Sequence, residues 1–557
     1  MKILIEGEKY AIADLIKVFD DPKFYSQNGS QGIINYVGYY HSFEKNELIY
    51  LLPKVFVQEG KVFGKYDPSQ LFEKEISDSF KHLDEYNWVR QLLIYFYNSL
   101  TEFKKRYSEN IITEASQTFE LNSNLGKNEY TYLDLVLSFV NYYKKNKNTI
   151  LFHHIEFISN QAKKPKWEKT IRTSLPIINS NNAPIYTSIR NKKKVVNNEE
   201  ELICYFYSIL NYFNEEHHLN ISIDKSYNII KGNVFKKLQK TGLSKIRSIK
   251  YRYFSDTLKR MYQLCELYFS QTDTSSIKKR KEEFISIRNY NIVFEDMVDK
   301  LFSDKIDANK RVADTSLNDL KYNNDGKIID HIYEYQSLID TSNIFYIGDS
   351  KYYKSDTEAG KLSTFKQFTY AKNVIQFNID LFNNGNYYTP RIRYRDELTE
   401  GYNISPNFFI YGYIADLKDF DNPLLQPYKL PKKSFHFKDR LFDRDTLFVH
   451  QYRINFLYVL KSYSSINIKL IDTFRKETKK KFRDNFIEYF NLANECGFEL
   501  FEKDFEETDL EKFVSENFRN LNGKCISVNG NKLLVAKHSQ DNEIKSLITD
   551  FKTKELQ

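Results

Sequence analysis

Between Asp325 and Gln367 the chain reads DGKIIDHIYEYQSLIDTSNIFYIGDSKYYK and then, a little further on, STFKQFTYAKNVI. Lys327 to Tyr335 and Ile344 to Tyr353 are β-branched and aromatic runs separated by a polar turn, which predicts two adjacent antiparallel strands. Asp330 falls on the first, Asp349 and Lys351 on the second. Residues two apart on a strand share a face, so the Asp349 carboxylate and the Lys351 ammonium project together while Ser350 points away. If Asp330 faces the same side, two carboxylates and one ammonium converge. Such a cluster suits phosphodiester hydrolysis, which needs a hard divalent cation on oxygen ligands, a water delivered in line, and positive charge where negative charge builds. A cation beside Lys351 also disfavours its charged form, which helps it act as a base.

Two helices are expected to frame these strands. Asn291 to Phe302 reads NIVFEDMVDKLF, with Val293 or Phe294, Met297, Val298 and Leu301 at helical spacing, so Glu295 lies beside an apolar stripe near a helix start. Its carboxylate can reach the same cluster. Downstream, Phe365, Phe368, Ala371 and Ile375 mark a second amphipathic helix carrying Lys366, Gln367 and Lys372.

The order of helical Glu295, strand Asp330, the Asp349-Ser350-Lys351 tripeptide and Gln367 resembles the PD-(D/E)XK nuclease core, with Ile329 in place of the proline and Asp349 as the (D/E). Within that class the chain is most similar to the McrC and LlaJI restriction nuclease subunits, through its GDSKYY and KQFTYAKN motifs. The resemblance extends through LLPKVF at Leu51 to Phe56, WEKTI at Trp167 to Ile171, APIY at Ala183 to Tyr186, and HQYRINFLYVLKSY at His450 to Tyr463. It implies a mixed-sheet nuclease core in which Glu295, Asp330 and Asp349 hold one or two Mg²⁺ ions, Lys351 positions the attacking water and Gln367 steadies the site. It also implies cleavage of double-stranded DNA to leave a 5′-phosphate, and a partner, an McrB-like AAA+ GTPase ring. The ring would dock on the β-rich N-terminal region, here Met1 to about Ala115.

Other readings of the same residues stand beside this one. Asp330 also fits a strand-end turn, Asp349 and Lys351 a surface ion pair of little energetic weight, and Glu295 a solvated acid favoured by the helix dipole. Gln367 fits an exposed helix position. The alternatives in function are a stand-alone nuclease for repair or end processing, and a non-catalytic DNA-binding or ring-activating subunit.

With 557 residues, 41% of them hydrophobic, the chain has ample material for several cores. The expected class is α/β with four parts: a β-rich domain over 1–115, a mixed and mainly helical domain over 116–284, the nuclease domain over 285–492, and a C-terminal extension over 493–557. No stretch approaches the roughly 20 apolar residues of a membrane span, and MKILIEGEKY lacks a signal-peptide core, so a cytoplasmic protein is expected. Cys204, Cys265, Cys496 and Cys525 have neither zinc-site nor disulfide-framework spacing, which fits a reducing compartment.

The net charge of +8 is modest for this length, but the basic residues are clustered, which suits a polyanionic partner. One group comprises Lys236, Lys237, Lys240, Lys245, Arg247, Lys250 and Arg252. A second is Lys278, Lys279, Arg280 and Lys281, and a third Lys476, Lys479, Lys480, Lys481 and Arg483. Each also fits a solvated helix face. No GxxxxGK[ST] phosphate loop is present, so the chain itself is expected to bind no nucleotide. The segment Ser159 to Asn198, rich in Pro and Asn, reads as irregular structure with short strands.

Overall fold

The computed structural model describes the chain except for residues 20, 44, 46, 75, 81, 109–119, 124–130, 147–151, 197–199, 218, 220, 224–226, 273–281, 305–310, 313–314, 317–319, 322–327, 354–359, 384–393, 415–418 and 465–467. The protein is an α/β protein of helices and mixed sheets. It divides into two compact units, one formed by Met1–Lys127 together with Phe284–Gln557, the other by Asn128–Glu283.

In the first unit, a six-stranded sheet carries the aspartates. Its order is His331–Gln336, Asn343–Lys351, Asn407–Tyr413, Thr446–Asn455 and Gln426–Pro427, with Lys432–Phe435 also pairing to Thr446–Asn455. The first two strands are antiparallel, with His331 opposite Gly348 and Gln336 opposite Asn343. The next two pairings are parallel, and Asp349 lies beside Phe409. A parallel connection requires a crossover, and the helix Lys361–Asn383 lies in the one between Lys351 and Asn407. Residues 391–393 lie outside the described residues, and Arg395 forms an isolated β-bridge to Tyr402.

Asn343–Lys351 is a buried central strand with both faces covered, which is why it reads as the near-continuous apolar run NIFYIG before its polar end. Gly348 is dictated by packing: a Cβ there would stand 2.0 Å from the Phe408 ring. The helix Asn291–Phe302 buries Val293, Phe294, Met297, Val298, Leu301 and Phe302, the stripe its spacing predicts. Asp296 anchors it: Arg106 of the helix Leu83–Ser108 donates two hydrogen bonds to its carboxylate at 2.7 and 2.9 Å, and the Tyr463 hydroxyl donates a third.

The N-terminal residues of this unit form a second mixed sheet. Lys2–Ile5 runs parallel to Glu47–Leu52, which pairs antiparallel with Tyr36–Ser42. The C-terminal residues build a four-stranded sheet whose apolar side, including Phe498, Ile526 and Leu534, shares one core with Phe486 and Phe490 of the helix Ile468–Asn491. Its hairpin turns at Asn529 and Gly530, both at positive φ (55° and 77°), the conformation that Asn-Gly pairs adopt with least strain.

In the second unit, the helices Tyr132–Lys145, Glu201–Glu216, Gly232–Ser248 and Asp256–Thr272 pack around Phe139, Phe206, Phe213 and Tyr268. The first begins with a reciprocal capping box between Thr131 and Asp134, which satisfies two backbone N–H groups the helix leaves open. From Ser159 to Val196 the chain is more regular than its composition suggests. Phe152–Ser159 and Ile189–Val196 pair along eight residues, with the short helix Trp167–Thr173 between them.

Gly348→Ala is expected to lower unfolding free energy by about 1–3 kcal/mol, the usual cost of overpacking a core. Urea denaturation checks this, and an unchanged midpoint would contradict the close approach of Phe408.

Candidate active site

The pairing of His331 with Gly348, continued one residue back, sets Asp330 opposite Asp349. Asp330 therefore lies just before the first strand rather than on it, since the ladder begins at His331. Alternation then places Asp330, Asp349 and Lys351 on one face and His331, Gly348 and Ser350 on the other. The Lys351 ammonium pairs directly with the Asp349 carboxylate, and it lies 5.1 Å from the centre of the Phe409 ring. The backbone N–H of Ser350 donates to Asp330 Oδ2 at 3.2 Å.

Glu295 completes the acidic cluster. Burial and the nearby Asp349 charge push its carboxyl up to about 8, although Asn291, one turn earlier, donates to Glu295 Oε1 at 3.2 Å. Asp330 is raised well above the usual carboxyl range by burial, by the Glu295 and Asp349 charges and by a hydrogen bond with Asp349. Three acids thus share one partly enclosed site with too little positive charge. Among the described residues, no three Asp, Glu, His or Cys side chains already stand at metal-shell spacing; Asp349 is turned to Lys351 instead. The donor set nevertheless fits a hard divalent cation, because carboxylate oxygens are its preferred ligands and their mutual repulsion is what its charge would relieve.

Lys351 departs from expectation. Burial pulls its ammonium toward the neutral form, but the Asp349 and Asp330 charges outweigh burial, and its pKa is raised. In this arrangement Lys351 is a cation that organises the carboxylates.

Gln367 is fully buried, not an exposed helix residue. Its Nε2 donates to Asn407 Oδ1 at 2.6 Å, and Asn407 Nδ2 returns a bond to the Gln367 carbonyl at 3.2 Å. Gln367 therefore clamps its helix to the start of the neighbouring strand, and its Oε1 is buried without a partner among the described residues. Phe365, expected on the apolar stripe, is exposed; the covered side runs instead through Gln367, Phe368, Tyr370, Ala371, Val374 and Ile375.

Sequence reasoning missed Tyr370. Burial and the charges of Asp330, Asp349 and Glu295 push its phenol up to about 12, so it faces the acidic cluster. The available signal was helical spacing, since Tyr370 follows Gln367 by three residues and Lys366 by four. Also missed was the support on the other strand face, where His331 Nε2 meets Ser350 Oγ at 2.6 Å and Nδ1 lies 3.4 Å from Asp299 Oδ1. Asp299 also binds Lys321 at 2.9 and 3.0 Å. No spacing rule connects these positions: pairing of the two strands brings His331 to Ser350, and packing of the helix Asn291–Phe302 against them brings in Asp299.

The basic groups divide. In the second unit, Lys236 and Lys237 lie with Lys240, Lys245 and Arg247 on the exposed side of the helix Gly232–Ser248, and Tyr251 and Phe254 beyond its end are also exposed. Lys278, Lys279, Arg280 and Lys281 lie outside the described residues. In the third group, Lys479 is buried and pairs with Asp304 at 2.5 Å, while Arg483 donates to the Ser337 carbonyl at 3.0 Å, so both hold the fold together.

No protein-family model matches the chain, and no curated protein matches it.

Because Glu295 has a folded-state pKa near 8 against an unfolded value of about 4.3, the folded state holds more protons than the unfolded between those limits. Stability contributed by the protonated acid is complete below the unfolded pKa and declines as pH rises through the folded one. Without divalent cations, the melting temperature is expected to fall from pH 5 to pH 9, and Glu295→Gln to flatten that fall. A Glu295→Gln profile parallel to wild type would contradict the coupling.

Proposed function

We propose that the protein is a divalent-metal-dependent DNA endonuclease with a PD-(D/E)XK core, acting as the nuclease subunit of an McrC- or LlaJI-type restriction system. The observation that carries this reading is the convergence of Glu295, Asp330 and Asp349 around Lys351 at the end of a buried central strand. Structural ion pairs are normally charge-balanced, because uncompensated burial of like charges is costly. Here the acids outnumber their cation, which suits a site built to receive more positive charge.

Glu295, Asp330 and Asp349 would hold one or two Mg²⁺ ions. When bound, such an ion polarises the phosphate and makes water a stronger nucleophile at neutral pH. Lys351, held against Asp349 and over Phe409, orients water and opposes charge growing on the phosphate. The Ser350 N–H fixes the Asp330 carboxylate, and Tyr370 closes the helix side of the site. Gln367 acts on position, by holding its helix to Asn407.

Control by an McrB-like AAA+ GTPase ring is part of the proposal, supported by the way the catalytic strand is tied to the N-terminal sheet. Tyr352, next to Lys351, donates its hydroxyl to Glu6 and accepts the Lys54 N–H at 3.0 Å. A partner that moves those N-terminal residues would move the strand end that bears Lys351. Among the described residues, no helix is long and apolar enough to cross a membrane.

Asp349→Asn and Lys351→Ala are each expected to reduce Mg²⁺-dependent cleavage of duplex DNA by at least about a hundredfold, the lower range for removing an electrostatic catalytic group. Single-turnover cleavage with any activating ring present provides the measurement. A Lys351→Ala protein cutting at the wild-type rate would falsify the assignment.

A further inference from the structure

Within the second unit, the ribbon formed by Phe152–Ser159 and Ile189–Val196 carries a compact head from Asn160 to Ser188. The head is organised by a buried polar residue. Asn191 accepts the Lys163 and Lys164 N–H groups at 2.8 and 3.1 Å and donates to Ser159 Oγ and the Gln161 carbonyl, both at 3.0 Å. Lys166 N–H bonds the Arg190 carbonyl at 2.8 Å, and Ser174 Oγ bonds the Ser188 carbonyl at 2.8 Å, which ties both ends of the head to the ribbon.

With polar groups inside, the aliphatic side chains lie outside. Leu175 is 93% exposed, Ile177 60% and Ile178 59%. Ile177 and Ile178 pair with Ile185 and Pro184 in a small hairpin, so Ile177 and its cross-strand partner Ile185, 48% exposed, share one face of a paired backbone. Contiguous exposed apolar side chains on an ordered element mark a contact surface.

Charge selects the partner. From Glu156 to Lys193 the chain has eight Lys and Arg residues and only two acids. Glu156 is engaged by Lys166 and Lys169, at 2.5 and 2.6 Å, and Glu168 pairs with Arg172. Lys163, Lys164, Lys192 and Lys193 are exposed around the head and the adjoining ribbon. A strongly cationic ribbon ending in exposed aliphatic side chains has the chemistry of proteins that grip duplex phosphates and press apolar wedges against base steps. We propose that this ribbon is a duplex-DNA-binding arm, its lysines neutralising phosphates while Leu175, Ile177 and Ile185 bear on the groove. The assignment rests on reading the protein as one that acts on DNA.

The test uses the full chain and a 5′-labelled duplex of about 30 base pairs, enough for roughly three helical turns, followed by fluorescence anisotropy across a salt series. One variant carries Lys163→Gln, Lys164→Gln, Lys192→Gln and Lys193→Gln; another carries Leu175→Ser and Ile177→Ser, both at exposed positions. The lysine variant is expected to bind more weakly and to lower the log–log salt slope by about 0.9 for each phosphate no longer neutralised. The aliphatic variant should weaken binding about tenfold, the effect of one partly buried side chain, without changing the slope. It should also abolish any bend seen by energy transfer between dyes on the duplex ends. Wild-type affinity and slope in both variants, or no duplex binding by the wild-type chain, overturns the arm. Arm-dependent binding without Mg²⁺-dependent cleavage overturns only the nuclease reading. Cleavage and binding at wild-type levels in both variants overturns only the arm and makes the aliphatic tip a protein contact.

Discussion

The constraint on which the first unit turns is the repulsion among Glu295, Asp330 and Asp349. Three carboxyl groups brought together with little water cannot all ionise, so Glu295 and Asp330 are driven toward their protonated forms and Asp349 is left to pair with Lys351. An ordinary fold would separate such groups or balance them with cations. Their proximity therefore has to be enforced by surrounding structure, and each neighbouring element contributes to that enforcement.

The enforcement comes from the opposite strand face and from both helices. Asp299 is held well below the usual carboxylate range, because Lys321 and His331 outweigh its burial, and this stable anion fixes His331 against Ser350. Arg106 and Tyr463 fix the helix that bears Glu295 through Asp296, next to it in sequence. Gln367 and Asn407 fix the other helix to the sheet. Around the cluster, Asp299 and Asp296 are each paired with a cation, Lys321 and Arg106.

The C-terminal sheet and the tail helix contribute to the core behind this site. Phe486 and Phe490 share packing with Phe498 and Leu534, and the basic residues Lys479 and Arg483 bind Asp304 and the Ser337 carbonyl. These cations are therefore poorly placed to hold nucleic acid. In the second unit the distribution is reversed. Its helices bury aromatic rings, while lysines along Gly232–Ser248 and around the ribbon head remain in water.

The sequence by itself determined much of the local structure. Apolar spacing marks the helices at Asn291–Phe302 and Tyr132–Lys145, a run of β-branched and aromatic residues marks the strand bearing Asp349 and Lys351, and Asn-Gly marks the C-terminal hairpin, because periodicity, composition and turn conformation are properties of neighbouring residues. Helix starts are also local, as at the Thr131 capping box. The stretch from Leu243 to Ser270 belongs to two helices that lie on either side of Lys250–Arg252. Only tertiary structure decided that Gln367 would be buried against Asn407, that Phe365 would be exposed and Tyr370 turned to the acids, and that His331 would meet Ser350. It also decided the protonation of the site. A pKa depends on burial and on charges brought from distant positions, and neither is encoded in the spacing of residues along a strand.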